Sequence, residues 1–353
     1  MTSDAAAVRD EDAFDVARLH AWIAVHAPDV AGQDDALPVI RQFKGGASNL
    51  TFLLSYDERE YVLRRPPRGH KASSAHDMRR EVTIQQALRP LYPLVPEVHA
   101  YCEDASVIGD EFYLMSRIRG TILRRDLPAG VTLSAEQARQ LAFTVIDAQA
   151  DLHAIDPDGA GLADLGRGPG YVQRQVAGWS RRYRDARTDD VPEAEGVMDW
   201  LDAHQPEDVA ARLIHGDWRL DNLVLELGAE PRIVGVLDWE MATVGDPLMD
   251  VGASLAYWIT ADDDETFQLM RMQPTDLPGI PTRDEYVARY LARTGLAVDD
   301  WRFYEVYGLF RLAVIAQQIW YRYRLGETTN PAFAHFGGAV TMLIDRAAQR
   351  LAA

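Results

Sequence analysis

Strand-forming sequence in this chain is crowded into one stretch. Between Val39 and Ile118 the segments RQF, NLTFLLSY, EYVLRR, EVHAY and EFYLMSRI read as strands, and one helix-like run, Ala75 to Leu88, interrupts them before Pro90. After Gly120 the character changes. Ser134 followed by Gln137 is a capping-box signal, and Leu141, Val145, Ala148 and Leu152 then recur at helical spacing until Pro157. Further helices are expected at 171–185, 193–204, 284–294, 299–325 and 331–351, with an opening one over 12–27 that gathers Phe14, Ala17, Leu19, Trp22, Ile23 and His26 roughly on one side. A single strand-rich patch, Arg212 to Trp239, sits among these helices. The simplest fold that segregates the elements this way is α+β: a small β-rich lobe joined near residues 116–120 to a larger helical lobe. The expected division is an N-terminal helical extension (1–34), the β-rich lobe (35–118) and the helical lobe (119–353).

Composition narrows the function classes. The 353 residues include 54 acids and 36 bases, a net charge of −18, which disfavours nucleic acid and anionic membrane surfaces as partners. Cys102 is the sole cysteine, so neither an internal disulfide nor a cysteine metal cluster can form. The longest apolar candidate, Leu309 to Trp320, is broken by Arg311, Gln317 and Gln318, and the acidic start MTSDAAAVRDEDAF does not read as a signal peptide. The expectation is a cytoplasmic protein. The run Asp262–Glu265 reads as a solvated loop. Only two lysines occur, Lys44 and Lys71, every other base being arginine.

The segment LIHGDWRLDNLVLELGAEPRIVGVLDWE, residues 213–240, carries the chemistry. Asn222–Leu227 and Arg232–Leu237 are apolar strands around the loop Gly228-Ala229-Glu230-Pro231, so counting back from the loop sets Asn222 beside Asp238 at the open end. Directly opposed residues lie about 4.5–5.5 Å apart at Cα, close enough for two oxygen-bearing side chains to share a cation. One carboxylate and one amide oxygen suit Mg²⁺, which takes few protein ligands and completes its shell with water and phosphate oxygens. Asp217, five residues before Asn222, is then free to orient a hydroxyl and accept its proton. An Asp at a turn ordinarily serves local backbone. It is the ordered set of HGD, Asn222, hairpin and Asp238 that points to chemistry. His215 reads as structural.

The small lobe supplies a second set. FKGGASNLTFLL places Gly45, Gly46, Ser48 and Asn49 just before a strand, where exposed N–H groups can form an anion nest, although a glycine pair there more often marks only a turn. In EYVLRRPP the alternation puts Val62 and Arg64 on one face. Glu81 shares a helix face with Ile84 and Leu88, and a charge on an apolar face needs a cation; Arg64 is the candidate, with neighbouring Arg79 and Arg80 as competitors.

Together these residues resemble the aminoglycoside phosphotransferase (APH) family of the protein-kinase-like superfamily, nearest the subgroup that includes the kinase-like domain of some eukaryotic acyl-CoA dehydrogenases. The resemblance runs from QFKGGASN through VLRRPP and HGDWRLDN to LDWEMATVGDP. It implies a bilobal kinase-like fold and an ATP- and Mg²⁺-dependent transfer of the γ-phosphate to a hydroxyl of a small molecule. By resemblance Asp217 is the catalytic base, Asn222 and Asp238 hold Mg²⁺, and Gly45 to Asn49 cover the ATP phosphates. Arg64 and Glu81 stand where the family has its phosphate-anchoring lysine and helix glutamate. Met115, Ser116 and Ile118 form the hinge that meets adenine, and Asp250 braces the catalytic loop. Arginine for lysine keeps the charge but changes reach and geometry.

The acceptor is expected in the helical lobe near Asp217, with Trp218, Arg219, Asp221, Trp239, Glu240 and late-helix aromatics as candidate lining. Aromatic residues at helical spacing more often belong to a core. Residues 266–283, with Pro274, Pro278 and Pro281, either close over a substrate or merely connect. Arg219, Arg311, Arg322 and Arg324 are candidate partners for an acidic acceptor, and the subgroup resemblance suggests a hydroxyacyl compound or other hydroxylated metabolite. Competing readings are an aminoglycoside or amino-alcohol kinase, a nucleotide-binding pseudokinase, and a metal-dependent hydrolase built on His215, Asp217 and Asp238.

Overall fold

The structure is a computed structural model that describes residues 5–32, 36–43, 49–67 and 77–351. The chain divides into two compact units, Met1–Arg119 with Val234–Glu240, and Gly120–Ile233 with Met241–Ala353.

The first unit is built on a six-stranded sheet in the order β1-β2-β3-β4-β6-β5. Its strands are β1 (Ala5–Ala6), β2 (Val39–Phe43), β3 (Leu50–Tyr56), β4 (Arg59–Arg65), β5 (Val98–Cys102) and β6 (Phe112–Ser116), and every neighbouring pair is antiparallel. Period-two alternation sorts the side chains. Phe52, Leu54, Leu63, Phe112 and Leu114 pack on one face against Leu19 and Ile23 of α1 (Val16–His26) and Val30 and Ala31 of α2 (Pro28–Ala31). Val62, Tyr113 and Met115 pack on the other against Met78 and Val82 of α3 (Met78–Leu88). The opening helix is therefore part of this core rather than a separate extension, because its apolar stripe has no other surface to cover. Truncating Leu19 or Ile23, both fully buried, to Ala would cost about 2–5 kcal/mol. Arg65, also buried, donates to the carbonyls of Asp12 and Ile108. Asp77 caps α3 by accepting the Arg80 N–H; of the residues expected to begin that helix, 75 and 76 lie outside the described residues.

The second unit is mainly helical: α4 (Ala135–His153), α5 (Tyr171–Ala186), α6 (Glu195–Ala203), α7 (Pro247–Leu255), α8 (Glu265–Gln268), α9 (Arg283–Thr294), α10 (Arg302–Arg324) and α11 (Phe336–Leu351). The capping box at Ser134 and Gln137 is present, and Thr282 with Glu285 forms another. The helix expected over 331–351 begins as a 3-10 turn, Pro331–His335. Helix α10 is the hub, packing against α5, α7 and α11. It meets α7 at Gly252 and Gly308, and a Cβ on Gly308 would lie 2.0 Å from the Gly252 carbonyl, so only glycine permits that crossing. Strands β7 (Arg212–Ile214) and β10 (Thr243–Gly245) pair antiparallel. Strands β8 (Leu223–Glu226) and β9 (Arg232–Val236) form the expected hairpin, one residue shorter at each outer end. Among the described residues no helix is long and apolar enough to cross a membrane.

Two connecting segments differ from expectation. The acidic run 262–265 is not simply solvated, for the Asp263 side chain is 3% exposed and paired with Arg283 and Arg346, and Asp264 caps α8. The proline-containing stretch after it is anchored rather than loose. Gln273 and Thr275 are buried, and each bonds a backbone carbonyl sixteen residues upstream, Tyr257 and Ile259 respectively.

Candidate active site

In the second unit the chain leaves β7 through His215-Gly216-Asp217. Gly216 has φ 81°, and a Cβ there would lie 2.7 Å from the Met241 carbonyl oxygen, so the sharp turn requires glycine. Its peptide is clamped at both ends. The Gly216 N–H donates to Asp250 Oδ1 at 2.9 Å, and its carbonyl accepts from Arg311 Nη2 at 2.6 Å. Asp250 is itself held by Gln149 Nε2 at 3.2 Å and faces His153 Nε2 at 3.1 Å, while the other ring nitrogen of His153 lies 2.6 Å from the Tyr290 hydroxyl. Burial pushes the Asp250 carboxyl up, but hydrogen bonding and charge from His153, with His215 and Gln149, hold it below the usual carboxylate range. Asp250 thus occupies the bracing position the resemblance implied, and Arg311 is a second brace rather than a surface cation.

The bracing leaves the Asp217 side chain facing outward at 28% exposure. Asn222 donates from Nδ2 to both the Asp217 carbonyl, at 2.8 Å, and Asp217 Oδ2, at 2.9 Å. This follows from a 3-10 turn at Leu220–Asn222, where a strand start was expected; the turn folds Asn222 back over Asp217. Both of these bonds use Nδ2, so neither engages the amide oxygen of Asn222. Arg219 forks onto Asp221, sits over the Tyr257 ring at 4.6 Å, and brings Nε to 3.8 Å from Asp217 Oδ1. The Leu220 N–H donates to buried Gln273 at 2.6 Å, so the segment expected to close over substrate or merely connect instead fixes this loop.

In the first unit a chain of buried polar groups ends at Asp238. Gln85 Nε2 donates to the Tyr113 hydroxyl at 3.1 Å, and that hydroxyl donates to Glu81 Oε1 at 2.8 Å. Arg64 then bridges two carboxylates, Nη1 to Glu81 Oε1 at 3.0 Å and Nη2 to Asp238 Oδ1 at 3.0 Å. Glu81 therefore pairs with Arg64, while Arg79 reaches Glu103 and Arg80 donates to the Glu240 carbonyl. Burial raises the Glu81 carboxyl above its usual value against the lowering effect of Arg64. Burial works to lower the Arg64 pKa, yet Glu81, Tyr113 and Asp238 together carry it well above its ordinary value. Asp238 sits at φ 66°, the left-handed region that Asp tolerates better than most side chains.

The remaining sequence candidates divide. Gly45, Gly46 and Ser48 lie outside the described residues, as do Lys44 and Lys71. Asn49 is buried and donates to Glu240 Oε2 at 3.1 Å, leaving its own Oδ1 buried with no partner among the described residues. Met115 is locked into the sheet between Val62 and Val98. Ser116 gives its N–H to the Glu97 carbonyl and sets its hydroxyl 2.8 Å from His99 Nε2, so that N–H is not available to a base; of the three hinge candidates Ile118 alone lies beyond β6. Trp239 is fully buried, donating to the Val236 carbonyl, and Trp218 is 3% exposed, so neither lines an acceptor surface. Tyr304, Tyr307 and Trp258 are core, and Arg324 pairs with Asp190. Asp217 and Asn222 belong to the second unit and Asp238 to the first. The hairpin had been expected to lie wholly in the helical lobe. Sequence reasoning missed Tyr113, Gln149, His153 and Gln273; only Tyr113 carried a signal, its alternation with Met115 on β6.

The two units have the α+β fold of kinase-like proteins. The model of the APH family, the phosphotransferase enzyme family, matches residues 39–307, and the chain belongs to that family. Acyl-CoA dehydrogenase family member 11 from Homo sapiens is 33% identical over 361 residues, covering 98% of this chain and 44% of that protein. The chain thus spans less than half the length of that relative. A crystal structure from Ralstonia eutropha JMP134, provisionally named an aminoglycoside phosphotransferase, is 32% identical with a TM-score of 0.80, covering 96% of this chain and 98% of that one. An aminoglycoside phosphotransferase, APH(4)-Ia, solved as a thermostable mutant in ternary complex with AMP-PNP and hygromycin B, shares the fold at 15% identity and a TM-score of 0.59, covering 94% of this chain and 98% of that one.

Proposed function

We propose that this chain transfers the γ-phosphate of ATP, with Mg²⁺, to a hydroxyl of a small molecule. The observation that carries the reading is the state of Asp217. Its backbone loop is clamped at Gly216, Oδ2 is held by Asn222, and Oδ1 lies 3.8 Å from Arg219 Nε, beyond hydrogen-bond distance. A carboxylate so oriented can accept a hydroxyl proton at Oδ1 without reorganising, and general-base catalysis of this kind contributes about 10²–10⁴ in rate.

The donor set fits magnesium. Asp238 keeps Oδ2 outside its bond to Arg64, and Asn222 commits its Nδ2, not its amide oxygen, to Asp217. One carboxylate and one amide oxygen are the hard, sparse ligands Mg²⁺ accepts beside phosphate oxygens. When bound, the ion would supply charge neutralisation on the phosphates. Arg64 would bind phosphate oxygens, Asn49 with the preceding glycines would cover them, and Ile118 would meet the base. Arg219 beside Asp217 favours a neutral or acidic acceptor, such as a hydroxyacyl compound, over a polycationic aminoglycoside.

The test is transfer of labelled γ-phosphate from Mg·ATP across a panel containing hydroxyacyl compounds, amino alcohols and aminoglycosides. Asp217→Ala should lose at least about 10²-fold in transfer while retaining stabilisation by Mg·ATP in a thermal shift. Undiminished transfer in that variant would refute the assigned base. ATP binding with no transfer to any acceptor would favour a pseudokinase.

A further inference from the structure

Arg64 does more in this structure than occupy the position of a phosphate anchor. Its two terminal nitrogens are divided between Glu81, whose side chain is 1% exposed, and Asp238, whose side chain is 35% exposed. The third nitrogen, Nε, is buried and has no partner among the described residues. Nε and Nη2 form one edge of the planar guanidinium, the edge on which a carboxylate or phosphate can be gripped by two parallel bonds. Asp238 takes only half of that edge.

We infer that Arg64 is a latch on Asp238, holding this carboxylate away from divalent cation until an anion takes the Nε/Nη2 edge. The deep pair with Glu81 is the fixed pivot. Glu81 has no water to fall back on, so it retains Nη1, whereas half-exposed Asp238 can exchange its bond for solvent or metal. The left-handed backbone of Asp238 keeps its carboxylate within reach of either partner. A phosphate on the free edge would displace Asp238, so nucleotide and metal would bind cooperatively through one side chain. A lysine could not do this, because a single ammonium lacks the fork and would remain with Glu81. The inference deepens the proposed function and rests on Asp238 being a metal ligand.

Mn²⁺ alone, without nucleotide, is titrated into wild type and variants, with water-proton relaxation enhancement as the readout and circular dichroism as the check on folding. Arg64→Lys frees Asp238 and should bind Mn²⁺ about tenfold more tightly, the worth of one charge-assisted hydrogen bond. Glu81→Gln leaves Arg64 to Asp238 alone and should weaken Mn²⁺ binding, a shift of opposite sign that a general loss of structure would not mimic in both variants. Adding Asp238→Asn to Arg64→Lys should abolish the gain. Equal or weaker Mn²⁺ binding in folded Arg64→Lys overturns the latch while leaving the phosphotransferase reading intact. Tight binding that survives Asp238→Asn overturns the metal assignment itself, and the latch with it.

Discussion

The two units hold the carboxylates proposed for the site in opposite ways. In the second, the restraints fall mainly on backbone, with Asn222 bonded to one Asp217 carboxylate oxygen. Asp250 takes the N–H of Gly216, Arg311 its carbonyl and Gln273 the N–H of Leu220, so the loop is rigid while Asp217 keeps a free oxygen. In the first, the restraint falls on the side chain itself, because Arg64 bonds directly to Asp238 Oδ1. A base must be preorganised yet unoccupied, which backbone clamping achieves. A ligand for an exchangeable cation can instead be held by a rival charge and released. The cost differs too. The brace of the second unit is buried and sets three polar partners, the Gly216 N–H, Gln149 and His153, around one aspartate, whereas the clamp of the first opens toward solvent at Asp238.

That contrast can be broken or sharpened by experiment. The largest effect is expected from Asp250→Ala, which strips Gly216 and His153 of their partner inside the core. Removing one member of a buried charged network costs about 3–5 kcal/mol, so chemical denaturation should show a loss of that order with transfer activity falling alongside. A near-neutral result would mean that the loop is held by its turn geometry alone. Arg311→Gln is expected to be milder. It removes one charge-assisted bond to the Gly216 carbonyl, worth about 1.5–3 kcal/mol, and should lower kcat more than it changes KM, because the loop loses definition rather than acceptor contacts. An effect confined to KM would place Arg311 at the acceptor instead.

The smallest effect concerns pH. Asp246, which caps α7 and accepts the N–H groups of Val209, Leu248 and Met249, is fully buried, and burial pushes its carboxyl up to about 6 despite those bonds. Because the folded carboxyl takes its proton at higher pH than the unfolded one, this group favours folding most below about pH 4 and loses that contribution as pH rises through about 6. The melting temperature of wild type relative to Asp246→Asn should therefore decline between those values. A flat difference would show that the cap is charged throughout, and that α7 presents Asp250 without any pH-dependent support.

Legibility from the sequence followed the range of the interaction concerned. The strand and helix segregation, the Ser134 cap, the Gly228–Pro231 hairpin and the opposed faces of β4 are local or periodic, and a linear reading sufficed for them. The Arg64–Glu81 pair was also accessible, since a buried charge on an apolar helix face demands a partner and strand alternation offered one. That the Ser116 N–H is already committed to Glu97, in a neighbouring segment, could not be read from its own strand. Asp263 was misjudged as solvated because the two arginines that bury it lie 20 and 83 residues further along the chain.

By itself, the amino-acid order determined which side chains are candidates for the proposed chemistry and on which local elements they stand, because propensity, capping and periodicity act within a few residues. Only the tertiary structure decided which of them are free to act. Whether a carboxylate is clamped, latched or open depends on hydrogen-bond partners that arrive from distant segments, and the burial that makes those bonds strong exists only once the chain has packed.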